Sequence, residues 1–74
     1  MKEYEVLAKY LNGCAGEAYP QTDFEEVELN DPAEYVRAKH GADAAKFTRE
    51  EQGDQTVFRL DTGSVTYIYE FTEL

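Results

Sequence analysis

Four sets of residues in this chain are of types that can do chemistry. Asp61-Thr62-Gly63-Ser64 puts a carboxylate in a small-residue turn after an alternating apolar segment. Such a carboxylate activates water when a second one shares its proton, because two like charges held close keep one group protonated and the other ionised. Cys14 and His40 are the single thiol and the single imidazole of the 74 residues. A thiol becomes a nucleophile when an imidazolium, a Lys, an Arg or a helix N-terminus stabilises its thiolate. Gly13-Cys14-Ala15-Gly16 sets two glycines three positions apart. Lastly, Asp23, Glu25, Glu26, Glu28, Asp31 and Glu34 crowd six acids into twelve residues with no base among them.

Asp61-Thr62-Gly63-Ser64 resembles the aspartic-protease signature. That resemblance implies a proton-sharing pair completed by a second copy, with a flap and a further structural loop downstream of the motif. The residues after Gly63 read instead as strand, and a hairpin turn accounts for all four positions. Gly13-Cys14-Ala15-Gly16 resembles the G-x-x-G loop of KH domains, which implies a clamp on a nucleic-acid backbone between two helices. Here the flanks are neutral to acidic, Lys9 is the nearest base, and Pro20 interrupts any following helix, so a plain loop is expected. No glycine-rich nucleotide loop occurs. Nothing local links Cys14 to His40. An enzyme built on Cys14 or Asp61 therefore ranks last, no catalytic residue is assigned, and no cofactor is expected. His40 is expected to be a positive partner for the C-terminal end of a helix.

The acidic run is the remaining candidate. It lacks the spaced oxygen ligands of a calcium loop, so no metal site is expected. The formal net charge is −9, unevenly laid out: residues 1–16 sum to zero, 17–36 to −7, 37–49 to +3 and 50–74 to −5. Such a field repels phosphate backbones and anionic membranes and attracts basic surfaces. Asp23, Glu25, Glu26, Glu28, Asp31 and Glu34 are thus the candidate partner-binding residues, with a basic protein, or a second copy in a homodimer, as partner. In size and charge the chain is similar to small acidic α+β proteins of phages and mobile elements that inhibit DNA-binding enzymes. That likeness implies carboxylates imitating a phosphate row in a basic groove. The plainer account is that the acids keep a β-rich domain dispersed and block edge-to-edge pairing.

Positioning these residues requires a fold, and 74 residues suffice for one small domain, 1–74. Apolar residues make up 42%, which is too rich for a disordered tail. No apolar run approaches the roughly 20 residues of a membrane span, and the mixed-charge start lacks a signal-peptide plan, so a cytoplasmic protein is expected. One Cys permits no internal disulfide. Asp31-Pro32-Ala33-Glu34 reads as a capped helix start, and Gly41 as its stop, giving a helix over 32–40.

Phe58 and Leu60, then Val65, Tyr67, Tyr69 and Phe71, alternate with more polar residues and predict two strands over 55–61 and 64–72. A two-residue turn at Thr62-Gly63 would pair Asp61 with Ser64 and Phe58 with Tyr67. A weaker strand over 45–51, centred on Phe47, completes a three-stranded meander through a turn at 52–54. Residues 23–29 predict another strand, its imperfect alternation repaired by a bulge near Glu25-Glu26. Residues 2–11 suit a strand with Tyr4, Val6, Ala8 and Tyr10 on one face, or a helix with Met1, Tyr4, Leu7, Ala8 and Leu11. The need to pair the apolar last strand favours the strand. Residues 12–22 read as a loop.

The expected fold is α+β: a small antiparallel sheet of four to five strands with a C-terminal three-stranded meander, one short helix packed on one face, in the order β-β-α-β-β-β. The helix is expected to cover Phe58, Leu60, Val65, Tyr67, Tyr69 and Phe71. The other face, with Val57, Arg59, Thr66 and Ile68, is left to solvent or a partner. A non-catalytic protein-interaction module is the expected function.

Overall fold

Alternation of bulky and polar residues at the start of the chain resolves as strand β1 (Lys2–Asn12), with Tyr4, Val6 and Ala8 buried on one face. The helical alternative loses because β1 is the partner the last strand requires. The computed structural model describes residues 1–12 and 21–74; Gly13, Cys14, Gly16 and Pro20, with the expectations placed on them, lie outside these. After β1 come β2 (Gln21–Leu29), helix α1 (Pro32–His40), a 3-10 turn over Gly41–Lys46, β3 (Thr48–Gln52), β4 (Gln55–Asp61) and β5 (Val65–Glu73). All pairings are antiparallel, and the strands lie in the order β2-β1-β5-β4-β3. The expected β-β-α-β-β-β order and C-terminal meander are therefore the architecture. Among the described residues no helix is long and apolar enough to cross a membrane.

Three local expectations are corrected. In the β4–β5 hairpin, Asp61 pairs with Thr66 and Phe58 with Tyr69, a slip of two residues from the expected register. The turn is longer because Thr62 closes it. Its N–H and Oγ1 both donate to the Val65 carbonyl (2.9 and 2.8 Å), and Asp61 Oδ1 accepts the Gly63 N–H (2.8 Å). Gly63 turns there at φ 92°, where a side chain would be strained. A slip of two preserves which residues face the helix, whereas a slip of one would have exchanged the faces. In β2, pairing with β1 runs one-for-one from Lys2–Leu29 to Tyr10–Gln21, with no bulge. Its apolar residues are instead divided, Val27 and Leu29 toward the helix and Phe24 away from it. Third, the expected strand over 45–51 begins only at Thr48. The alanine-rich Gly41–Lys46 favours helical turns, and Phe47 after it packs on His40 (4.9 Å between centroids) rather than pairing in the sheet.

Helix α1 has nine residues, too few to persist alone. Asp31 Oδ1 accepts the Ala33 N–H (2.8 Å), and the Glu34 carboxylate accepts the N–H groups of Asp31 and Asn30 (3.2 and 2.7 Å). Gly41, at φ 58°, closes the other end by donating to the Arg37 carbonyl. The helix buries Val36 over β1 and β5, where Val6, Ala8, Tyr69 and Phe71 form the centre of the core with Tyr4 and Phe58 beside them. Phe71 meets Tyr4, Tyr35 and Phe58 edge to face at 6.3, 5.5 and 5.7 Å, the arrangement favoured by ring quadrupoles.

Phe71 is fully buried and Phe24 is 61% exposed, so the two phenylalanines test which face is the core. Phe71→Ala is expected to cost about 3–5 kcal/mol. That is a large share of the roughly 4–11 kcal/mol available to a domain this size. Phe24→Ser should cost less than about 1 kcal/mol. Urea denaturation at neutral pH reads both, and comparable losses would mean that Phe24 is covered.

Candidate functional site

Among the described residues, no element covers the sheet face turned away from α1. Cross-strand register sets its residues in rows running from β2 to β3. Glu28 and Glu3 are opposite each other; next come Glu26, Glu5, Thr72, Gln55 and Gln52; then Phe24, Leu7, Glu70, Val57 and Glu50; then Thr22, Lys9, Ile68, Arg59 and Thr48. Lys9 Nζ and Glu70 Oε2 pair at 3.0 Å in the middle, both partly exposed. With Asp61 at the end of β4, the face carries seven carboxylates against two cations, Lys9 and Arg59.

The β1–β2 end of this face is unusual. Glu3 stands directly opposite Glu28, and Glu5 directly opposite Glu26. Like charges directly opposite in an antiparallel pair are destabilising. At a separation of roughly 6 Å in water, Coulomb repulsion is about 0.7 kcal/mol per pair. Among the described residues no cation lies within ion-pair distance of these four side chains. A shallow depression of about 220 Å³ lies against Glu3, Glu26, Val27 and Glu28. Next to the glutamates, exposed Phe24 pairs with half-buried Leu7.

The six acids singled out from sequence do not form one surface. Asp23 and Glu25 lie on the helix side of β2, with Glu25 near the Tyr35 hydroxyl. Burial, with Glu25 beside it, pushes the Tyr35 hydroxyl well above its ordinary value, so it stays a donor. Asp31 and Glu34 are occupied in the helix cap. Asp31 also pairs with Arg49 at 3.0 Å, and its carboxyl is held below the usual range by the Ala33 N–H first, opposed by desolvation, and by Arg49. Only Glu26 and Glu28 reach the open face. Their neighbours Glu3 and Glu5 are absent from the sequence-based set because residues 1–16 sum to zero charge. The signal was present in alternation: in a β1 strand with Tyr4 and Val6 inward, Glu3 and Glu5 must point outward.

The other chemically capable groups resolve as parts of the structure. Asp61 is used in the hairpin turn. His40 Nε2 lies 2.6 Å from the Tyr69 hydroxyl, with its ring against Tyr67 (4.8 Å). Desolvation lowers the His40 pKa and raises that of Tyr69. The neutral imidazole therefore accepts from the Tyr69 O–H and ties the end of α1 to β5, so the expected role as a positive helix-end partner is replaced. The Tyr10 ring meets Tyr69 edge to face at 6.2 Å. Cys14 lies outside the described residues, so no partner is assigned to it. Among the described residues, no group of three or more His, Cys, Asp or Glu could hold a metal ion. Comparison with protein-family models, curated proteins and solved structures gives no match to this chain.

Glu26→Lys should turn a repulsive cross-strand pair into an attractive one. It is expected to raise stability by a few tenths to about 1 kcal/mol in low salt, with the gain shrinking as ionic strength rises. Urea midpoints at two salt concentrations check this, and a loss of stability in low salt would rule the repulsion out. A second expectation concerns His40. Its depressed folded pKa means that the unfolded chain binds the proton more readily. The stability it contributes is present above the unfolded value of about 6.5 and is lost as pH falls below it. The stability advantage of wild type over His40→Gln should therefore shrink between pH 7.5 and pH 5, and a pH-independent difference would mean that His40 is not held neutral.

Proposed function

We propose that this protein is a non-catalytic binding module that takes a basic segment of a partner protein on the open face of its sheet. The supporting observation is the two directly opposed glutamate pairs, Glu3 with Glu28 and Glu5 with Glu26, beside exposed Phe24 and half-buried Leu7. These carboxylates repel one another with no compensating cation among the described residues. A Lys or Arg lying between them removes that cost on binding. Its aliphatic stem lies along Phe24 and Leu7 while its charged head meets the carboxylates. Enzymes and binding proteins keep such destabilising arrangements where function uses them.

The same charge argues against a second copy as the occupant of this face, since seven carboxylates would then meet seven more. A single Cys and an acidic surface suit a cytoplasmic module, working where electrostatic attraction speeds encounter.

The test is recovery of the partner from cells that make the protein, followed by measurement of the purified pair. Binding should weaken at least about tenfold between 50 and 500 mM salt, given screening of exposed charges. It should also weaken in Glu26→Lys/Glu28→Lys and in Phe24→Ser. A partner displaced by duplex DNA would identify the contacted surface as the groove of a DNA-binding protein. Binding indifferent to salt and to both variants would sink the proposal.

A further inference from the structure

β2 is one of the two edge strands of the sheet and has no partner on its outer side among the described residues. A row of unpaired N–H and C=O groups is a template for another strand, and proteins commonly blunt such rows with Lys, Pro, a bulge or short length. β2 has none of these. It is nine residues long, contains neither Lys nor Pro, and pairs without a bulge. Its one protection is negative charge: Asp23, Glu25, Glu26 and Glu28. That charge excludes a second copy. Every antiparallel register of β2 against itself centred between Phe24 and Val27 sets carboxylate opposite carboxylate. It does not exclude a cationic strand. The opposite edge, β3, is short and of mixed charge, with Arg49 already paired to Asp31.

Resting on the proposed function, we infer that the partner segment binds by strand addition along β2, as an extended basic peptide hydrogen-bonded to its outer edge. The side chains of β2 specify the sequence. In the order Glu28, Val27, Glu26, Glu25, Phe24, Asp23, the opposing positions are basic, apolar, basic, basic, apolar, basic. This pattern reads the same in both directions and so suits a parallel or an antiparallel strand. On the open face the added strand meets Glu28, Glu26 and Phe24. On the helix side it meets Asp23 and Glu25, both exposed.

The probe is the acetylated, amidated peptide Lys-Val-Lys-Lys-Val-Lys, titrated into the protein at low salt and followed by chemical shift and by amide exchange. Binding should slow exchange at alternate amides of Gln21–Leu29, the set whose N–H groups point outward. N-methylation at alternate peptide residues separates pairing from charge. One methylated set should bind about tenfold or more weakly, through loss of backbone hydrogen bonds, while the other retains its affinity. No binding by the unmethylated peptide, equal effects of the two methylated sets, or unchanged β2 exchange would each overturn strand addition. Failure of the underlying reading shows separately, as a purified partner that ignores salt, Glu26→Lys/Glu28→Lys and Phe24→Ser.

Discussion

Pairing of the first strand with the last is the interaction on which the rest of this molecule depends. β1 runs antiparallel to β5 from Tyr4–Glu73 to Asn12–Val65, and both are inner strands of the sheet. The β1–β2 hairpin and the β3–β5 meander have no core apart, and an isolated hairpin is marginal in water. Joined, they bring Val6 beside Phe71 and Ala8 beside Tyr69, and Val36 of the helix settles over that seam. Closing so long a loop adds only modestly to the entropic cost of folding, because that cost grows with the logarithm of length. It weighs more on the rate, since the core cannot form until the two ends of the chain meet.

Where local chemistry decides structure, the sequence was readable. Asp31, Pro32, Glu34 and Gly41 specify both ends of the helix, and the alternation from Val65 to Phe71 specifies the last strand. Strand β1 was readable only through a non-local requirement, the need of β5 for a partner. What escaped is set by tertiary context. The hairpin register turned on hydrogen bonds made by Thr62 and Asp61, which the four turn residues do not announce. Phe47 left the sheet because an aromatic pocket of His40, Tyr67 and Tyr69 awaited it. The acidic run looked continuous because sequence distance ignores faces. Strand alternation sends Glu25 and Glu26 to opposite sides, and the helix cap engages the carboxylates of Asp31 and Glu34. The glutamates that do meet come from strands joined by a segment that the charge count treated as neutral.

The two faces of the sheet solve different problems. On the helix side, the polar contact buried against the core is uncharged, Tyr69 with His40. Uncharged partners suit a site where desolvation would penalise ions. On the open side, charge is plentiful and partly opposed to itself, which water tolerates by screening. Stability is thus concentrated in one layer of contacts, and the other layer is released from any duty to the fold.

Unequal edges set a limit on assembly. A sheet propagates into a fibre only when one edge of a molecule matches the other edge of the next. Here β2 is long and its only charged residues are acids, while β3 is short and carries Glu50 and Glu51 against a single Arg49. Stacking β3 of one copy on β2 of another places acid against acid. Unlike edges of two copies therefore repel, and the sheet is kept from growing copy upon copy through that contact.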